Sequence, residues 1–148
     1  MVLVTDELRV HLHYTMRGSY PLRLIDVLFC TERAYFVEYD YLTPVDLLFG
    51  SPDNRAAAFA SQVVEEGVPA ALETAEAVET QPYDALDKID IHSGGWVGRP
   101  KITARPRTGS ATTVRVHGQF DAAPFAKALR STVDGHDVSV RRRDGIGF

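Results

Sequence analysis

Five cations crowd one short stretch of the chain: Arg99, Lys101, Arg105, Arg107 and Arg115. The runs Lys101-Ile-Thr-Ala-Arg105 and Thr112-Thr-Val-Arg-Val116 alternate polar and apolar residues on either side of Thr108-Gly109-Ser110, which predicts an antiparallel hairpin. Lys101, Thr103 and Arg105 then share one face, as do Thr113, Arg115 and His117, with Ile102, Ala104, Val114 and Val116 turned toward a core. Cations held together in this way attract phosphate, whether from lipid head groups or from a nucleic-acid backbone. The same pattern also describes an edge hairpin that charge protects from aggregation. Trp96 sits in the glycine-rich stretch just before it. An indole beside cations suits contact with a membrane interface, and a ring folded back onto the core is the alternative.

Other residues carry weaker signals. His11 and His13 project from one strand face at a spacing that can chelate Zn2+ or Cu2+, but two imidazoles do not make a site. His92, His117 or Glu38 would have to converge on them, so no metal and no cofactor is assigned, and a small metal-dependent enzyme is a minority reading. Cys30 lies in an apolar run, where a thiol behaves as a small hydrophobe rather than a nucleophile. Ser93-Gly94-Gly95 lacks the following helix and the Gly-Lys-Ser/Thr that a phosphate-cradling loop requires. Glu65, Glu66, Glu73, Glu76 and Glu79 read as a solvated helix face.

The elements that must position these groups follow from patterning. Val10, Leu12 and Tyr14 alternate with Arg9, His11 and His13 in a half-buried strand. Residues 22–30 and 34–41, rich in β-branched and aromatic side chains, form a hairpin about a tight turn at 31–33. Ser51-Pro-Asp-Asn54 starts a helical region whose stripe runs through Ala56, Phe59, Ala60 and Val63. Gly67-Val-Pro69 interrupts it, and Ala71, Leu72, Ala75 and Val78 continue it. After short strands come a helix with Phe125, Ala128, Leu129 and Val133 on its apolar side, Gly135 as its stop, and an edge strand at 137–140.

At 148 residues the chain is one domain's worth, and 45% hydrophobic with 24% charged residues is the balance of a globular protein, which excludes a disordered or fibrous one. No apolar stretch approaches the roughly 20 residues of a membrane-spanning helix. Acids at Asp6 and Glu7 stand where a secretory signal would be basic and apolar, and the single cysteine excludes an internal disulfide, so the expected location is cytoplasmic, with peripheral contact at the inner membrane face. The net charge of −4 is unevenly spread: residues 51–90 carry 2 cations against 9 acids, whereas residues 91–148 carry 10 against 4. A local positive field of this kind recruits anions even to an acidic protein.

The order of elements resembles the pleckstrin-homology-like barrel, in its bacterial and GRAM-type branch. The resemblance rests on the strand–turn–strand Val27-Leu-Phe-Cys-Thr-Glu-Arg-Ala-Tyr-Phe-Val37, on Ile89-Asp-Ile-His-Ser-Gly-Gly95 followed by Lys101-Ile-Thr-Ala, and on a short strand feeding the last helix. It implies an α+β fold, a small antiparallel barrel or two-sheet structure closed by a C-terminal helix, and a module that binds lipids or proteins rather than an enzyme. The expected domain covers residues 1–140, with a helical insertion at about 53–79 that the simple barrel lacks and a flexible basic tail at 141–148. The insertion's alanine-rich stripe offers a surface for a second copy if it does not cover the domain's own sheet. The resulting expectation is a non-enzymatic module that engages an anionic membrane or an acidic protein partner through Arg99, Lys101, Arg105, Arg115 and Trp96. A nucleic-acid accessory protein, using the same face and Arg141, Arg142 and Arg143, is the alternative.

Overall fold

A computed structural model of the chain describes residues 6–18, 22–43, 52–94 and 98–143. The elements run β1 (Leu8–Arg17), β2 (Leu22–Cys30), β3 (Arg33–Leu42), α1 (Pro52–Glu66), α2 (Val68–Thr74), β4 (Ala77–Pro82), a single 3-10 turn (Tyr83–Ala85), β5 (Leu86–His92), β6 (Lys101–Pro106), β7 (Thr112–Val116), α3 (Ala122–Thr132) and β8 (Ser139–Arg143). The α+β class read from the sequence holds. The strands form one eight-stranded sheet in the order β4-β3-β2-β1-β7-β6-β5-β8, antiparallel throughout except for the parallel pair β5–β8.

The expected closed barrel is corrected to an open sheet whose outer strands are β4 and β8. Strong curvature nevertheless brings its halves together. One core unites Ala34 and Phe36 of β3, Val27 and Phe29 of β2, Ile89 and Ile91 of β5 and Val114 of β7 around Ala126, Leu129 and Val133 of the α3 region. Side chains make the link that a backbone ladder does not: Glu79 on β4 accepts hydrogen bonds from Thr112 on β7 (2.5 Å) and Arg17 on β1 (3.2 Å). These bonds hold the Glu79 carboxyl below the usual range although burial alone would raise it.

Two further corrections concern the ends of the sheet. The helical region does not run to residue 79. Ala75 turns extended (ψ 152°) and residues 77–82 become β4, pairing Val37 with Val78. The stripe through Val78 continued the helical period, but β3 would otherwise present a row of unpaired backbone groups, and the short β4 satisfies them. Gly67, at φ 90°, adopts the left-handed backbone that separates α1 from α2, and Pro69 sits in the first turn of α2. The basic tail is likewise not free from residue 141. Arg141, Arg142 and Arg143 belong to β8 and pair with Asp90, Ile91 and His92. Residues 144–148 lie outside the described residues.

The outer face of the sheet differs between its halves. Over β2 and β3 it is covered by α1 and α2, where Phe59, Val63 and Ala71 pack on Leu28, Cys30 and Val37, and Tyr39 stacks on Phe59 with ring centroids 4.3 Å apart. The insertion's stripe is thus buried within its own chain, and the surface on which docking of a second copy depended is covered. Val63→Ala is expected to cost about 2 kcal/mol, from two lost methyl groups and the cavity they leave. Urea denaturation checks this, and an unchanged midpoint would mean that α1 does not hold to the sheet. Over β5–β8 the outer face remains polar.

Candidate functional site: a basic sheet face and a buried His–Asp cluster

Residues directly opposite one another on paired strands point to the same side of a sheet. On the outer side, Lys101 stands opposite Arg115 of β7 and His92 of β5, and His92 stands opposite Arg143 of β8. With neighbouring strands about 4.8 Å apart, this row of four spans about 14 Å. In the next row Thr113, Thr103, Asp90 and Arg141 are aligned, and in a third Arg105, Lys88 and Ser139. These three rows therefore hold six cations and, among the described residues, one carboxylate, Asp90, whose side chain is only 1% exposed. Asp87, at the lower corner, is 3.9 Å from Lys88.

Asp90 organises part of the face. Arg105 donates to it through Nε at 2.6 Å and Arg141 through Nε at 2.9 Å. Burial by itself raises the Asp90 carboxyl, but hydrogen bonds and charge from Arg141 and Arg105 outweigh it and hold the group below the usual range. Thr103 and Thr113 join across the hairpin at 2.9 Å, and the Arg115 guanidinium donates to the Gly18 carbonyl. Lys101 and Arg143 have no ion pair with a carboxylate among the described residues. Lys101 and Arg115 are like charges in directly opposed positions, an arrangement that weakens a sheet.

Lys101, Arg105 and Arg115, predicted to share a face, do so. Arg99 is exposed beyond the start of β6, where its charge acts on His117 and Tyr14. Trp96 lies outside the described residues. Lys88, Arg141 and Arg143 were missed as members of the face because only the pairing of β5 with β6 and of β8 with β5 brings them there.

His117, just past the end of β7, is half-buried, with its ring 5.9 Å from that of Tyr14. Its Nε2 is buried without a hydrogen-bond partner among the described residues, and burial, with Arg99 and Arg115 nearby, pushes its pKa down to about 4. An imidazole held neutral in the fold but free to charge when unfolded destabilises the protein as pH falls. The loss begins near the ordinary value of about 6.5 and continues down to the folded one. Stability should therefore decline from neutral pH toward pH 4, and His117→Gln should flatten that limb. Urea midpoints measured across the range decide it, and an equal slope in the variant would reject His117 as the source.

The second cluster lies on the other half of the sheet. His11 Nε2 and His13 Nδ1 are 2.6 and 2.8 Å from the same atom, Asp26 Oδ2. Asp26 Oδ1 accepts from the Tyr14 amide at 2.8 Å and the Tyr39 hydroxyl at 3.1 Å. The carboxylate is fully buried (0% exposed). Burial raises its pKa, but the hydrogen bonds from His11 and His13 more than reverse this, and the same bond holds His13 above its ordinary value. A register shift between Leu12 and Thr15 places Tyr14 at φ 62°, a strained backbone for a tyrosine that turns its amide onto Asp26. The third group is thus Asp26, and not His92, His117 or Glu38. Its signal in the sequence was a lone acid inside the apolar strand Leu22–Cys30. Cys30 itself is buried, which pushes its thiol up to about 12 and leaves it unsuited to nucleophilic chemistry.

The hSac2 domain of the human phosphoinositide phosphatase Sac2 has a similar fold: TM-score 0.55, 13% sequence identity, covering 95% of this chain and 80% of that one. At this identity the likeness concerns the fold alone. No protein-family model matches the sequence, and no curated protein matches it.

Proposed function

We propose that this protein is a non-enzymatic binding module of the pleckstrin-homology-like kind, with its sheet left open, and that it engages anionic membrane surfaces peripherally through the outer face of β5–β8. The observation that carries this reading is the row Arg115–Lys101–His92–Arg143 with Arg105, Arg141 and Lys88 beside it. An array of cations spread over four strands matches a surface of phosphates better than one small substrate. The like-charge neighbours it contains weaken the fold, as residues selected for binding do. No helix among the described residues is long and apolar enough to cross a membrane, so contact would be from one side. The domain with the similar fold comes from a phosphoinositide phosphatase, which lends the lipid reading further support.

Co-flotation with vesicles tests it. Vesicles containing phosphatidylserine should carry the protein, pure phosphatidylcholine vesicles should not, and binding should weaken as salt rises. Binding to duplex DNA with none to either vesicle would replace this reading with the nucleic-acid one. Binding to none of the three would leave the face to an acidic protein partner.

A further inference from the structure

The basic face leaves the His11–His13–Asp26 cluster unexplained. A buried carboxylate requires compensation, but Oδ1 already takes a backbone amide and a tyrosine hydroxyl, and two imidazoles meet at the remaining oxygen. The three donor atoms lie within 4.8 Å of one another. A transition-metal ion sits about 2.0–2.2 Å from imidazole nitrogen and carboxylate oxygen, so the donor atoms around it are about 3.0–3.5 Å apart. The two rings, now 2.6 and 2.8 Å from Asp26 Oδ2, would need to withdraw from it by about 0.2–0.9 Å, with the cation taking the place of imidazole protons.

Three features favour a site over a self-satisfied cluster. Asp26 is held rigidly through its other oxygen by Tyr14 and Tyr39, the support that metal-binding carboxylates receive. The tyrosine that supplies the amide has a strained backbone, and such strain concentrates at functional positions. Both histidines also line a cleft of about 530 Å³, together with Gln119, Phe120, Asp121 and Phe125. Gly118 keeps the neighbouring chain close to the cluster, since a Cβ there would sit 3.3 Å from the His13 carbonyl.

We propose that His11 Nε2, His13 Nδ1 and Asp26 Oδ2 bind one divalent transition-metal ion of the Zn2+ type, with the remaining coordination position open to the cleft. Two imidazoles and one carboxylate, with no thiolate, suit Zn2+, Co2+ or Ni2+ and disfavour Mg2+, which demands an oxygen shell. The open position would accept water or a small anionic ligand entering from the Gln119–Asp121 side.

The test uses the full chain stripped by a chelator and titrated calorimetrically with Zn2+ and with Mg2+, followed by Co2+ loading to record its visible d–d bands. One Zn2+ per chain, no response to Mg2+ and intense Co2+ bands are expected. His13→Gln should weaken Zn2+ at least about tenfold and alter the Co2+ spectrum. His92→Gln, on the basic face, should change neither. Circular dichroism confirms that each variant is folded, and because His13 is partly exposed its replacement leaves the core intact. Absence of stoichiometric Zn2+ binding overturns the site, as does an unchanged affinity and Co2+ spectrum in folded His13→Gln. Vesicle flotation is unaffected by either result, so this site and the basic face stand or fall separately.

Discussion

Replacing Lys101 and Arg143 together by glutamine should weaken binding to phosphatidylserine vesicles by about 30-fold. Each cation near an anionic surface contributes about 1 kcal/mol, and two contribute about 2 kcal/mol. These two are chosen because they lie in one cross-strand row, opposite His92 and two strands apart, and neither has a described carboxylate partner. Arg105 provides the contrast, since Asp90 already holds its guanidinium at 2.6 Å and offsets part of its charge. Arg105→Gln should therefore reduce binding less than Lys101→Gln. Lys101→Gln also removes the like-charge pair with Arg115, so the fold should become more stable by about a few tenths of a kcal/mol while binding falls. Loss of binding with a gain in stability separates a ligand-contacting cation from one kept for solubility. Flotation and urea denaturation of the same samples measure both, and an unchanged vesicle affinity in the double variant would reject the face.

Asp26→Ala should reduce stability by about 3–5 kcal/mol, the usual consequence of removing one partner from a buried charged pair. At this chain length that lowers Tm by roughly 10 °C. The carboxylate receives four hydrogen bonds, from His11, His13, the Tyr14 amide and the Tyr39 hydroxyl. Its removal leaves all four donors without their acceptor beneath α1, at the place where Tyr39 stacks on Phe59. The strained Tyr14 backbone also loses the bond that turns it inward. Calorimetric melting in the presence of a chelator isolates this structural effect from any metal. A Tm within about 2 °C of the parent would mean that the bulge and the helices hold without the carboxylate.

Much of the fold was legible in the sequence. Alternation over 101–105 and 112–116 separated the faces of the basic hairpin, and the apolar richness of 22–30 and 34–41 marked the central pair of strands. The stripe Ala56–Phe59–Val63 found the face that α1 buries. These are properties of neighbouring residues, set by the two-residue period of a strand and the 3.6-residue period of a helix. The candidate sites were legible only in part. Lys101, Arg105 and Arg115 could be grouped because they lie in one hairpin, whereas Lys88, Arg141 and Arg143 join them through strands whose pairing leaves no local trace. Asp26 is 15 residues from His11, on the neighbouring strand and across a register shift, so the pair at 11 and 13 showed its spacing but not its partner.

The sequence by itself therefore determined the class of the fold, the identity of most of its elements and the side of the hairpin that carries charge. Tertiary structure decided that the chain 77–82 is strand rather than helix, that the basic tail completes the sheet, and that a lone aspartate gathers two histidines. In each case the deciding term is long-range. Edge strands satisfy their backbone groups with whatever segment can reach them, and a buried carboxylate selects the donors that the fold brings within hydrogen-bond distance.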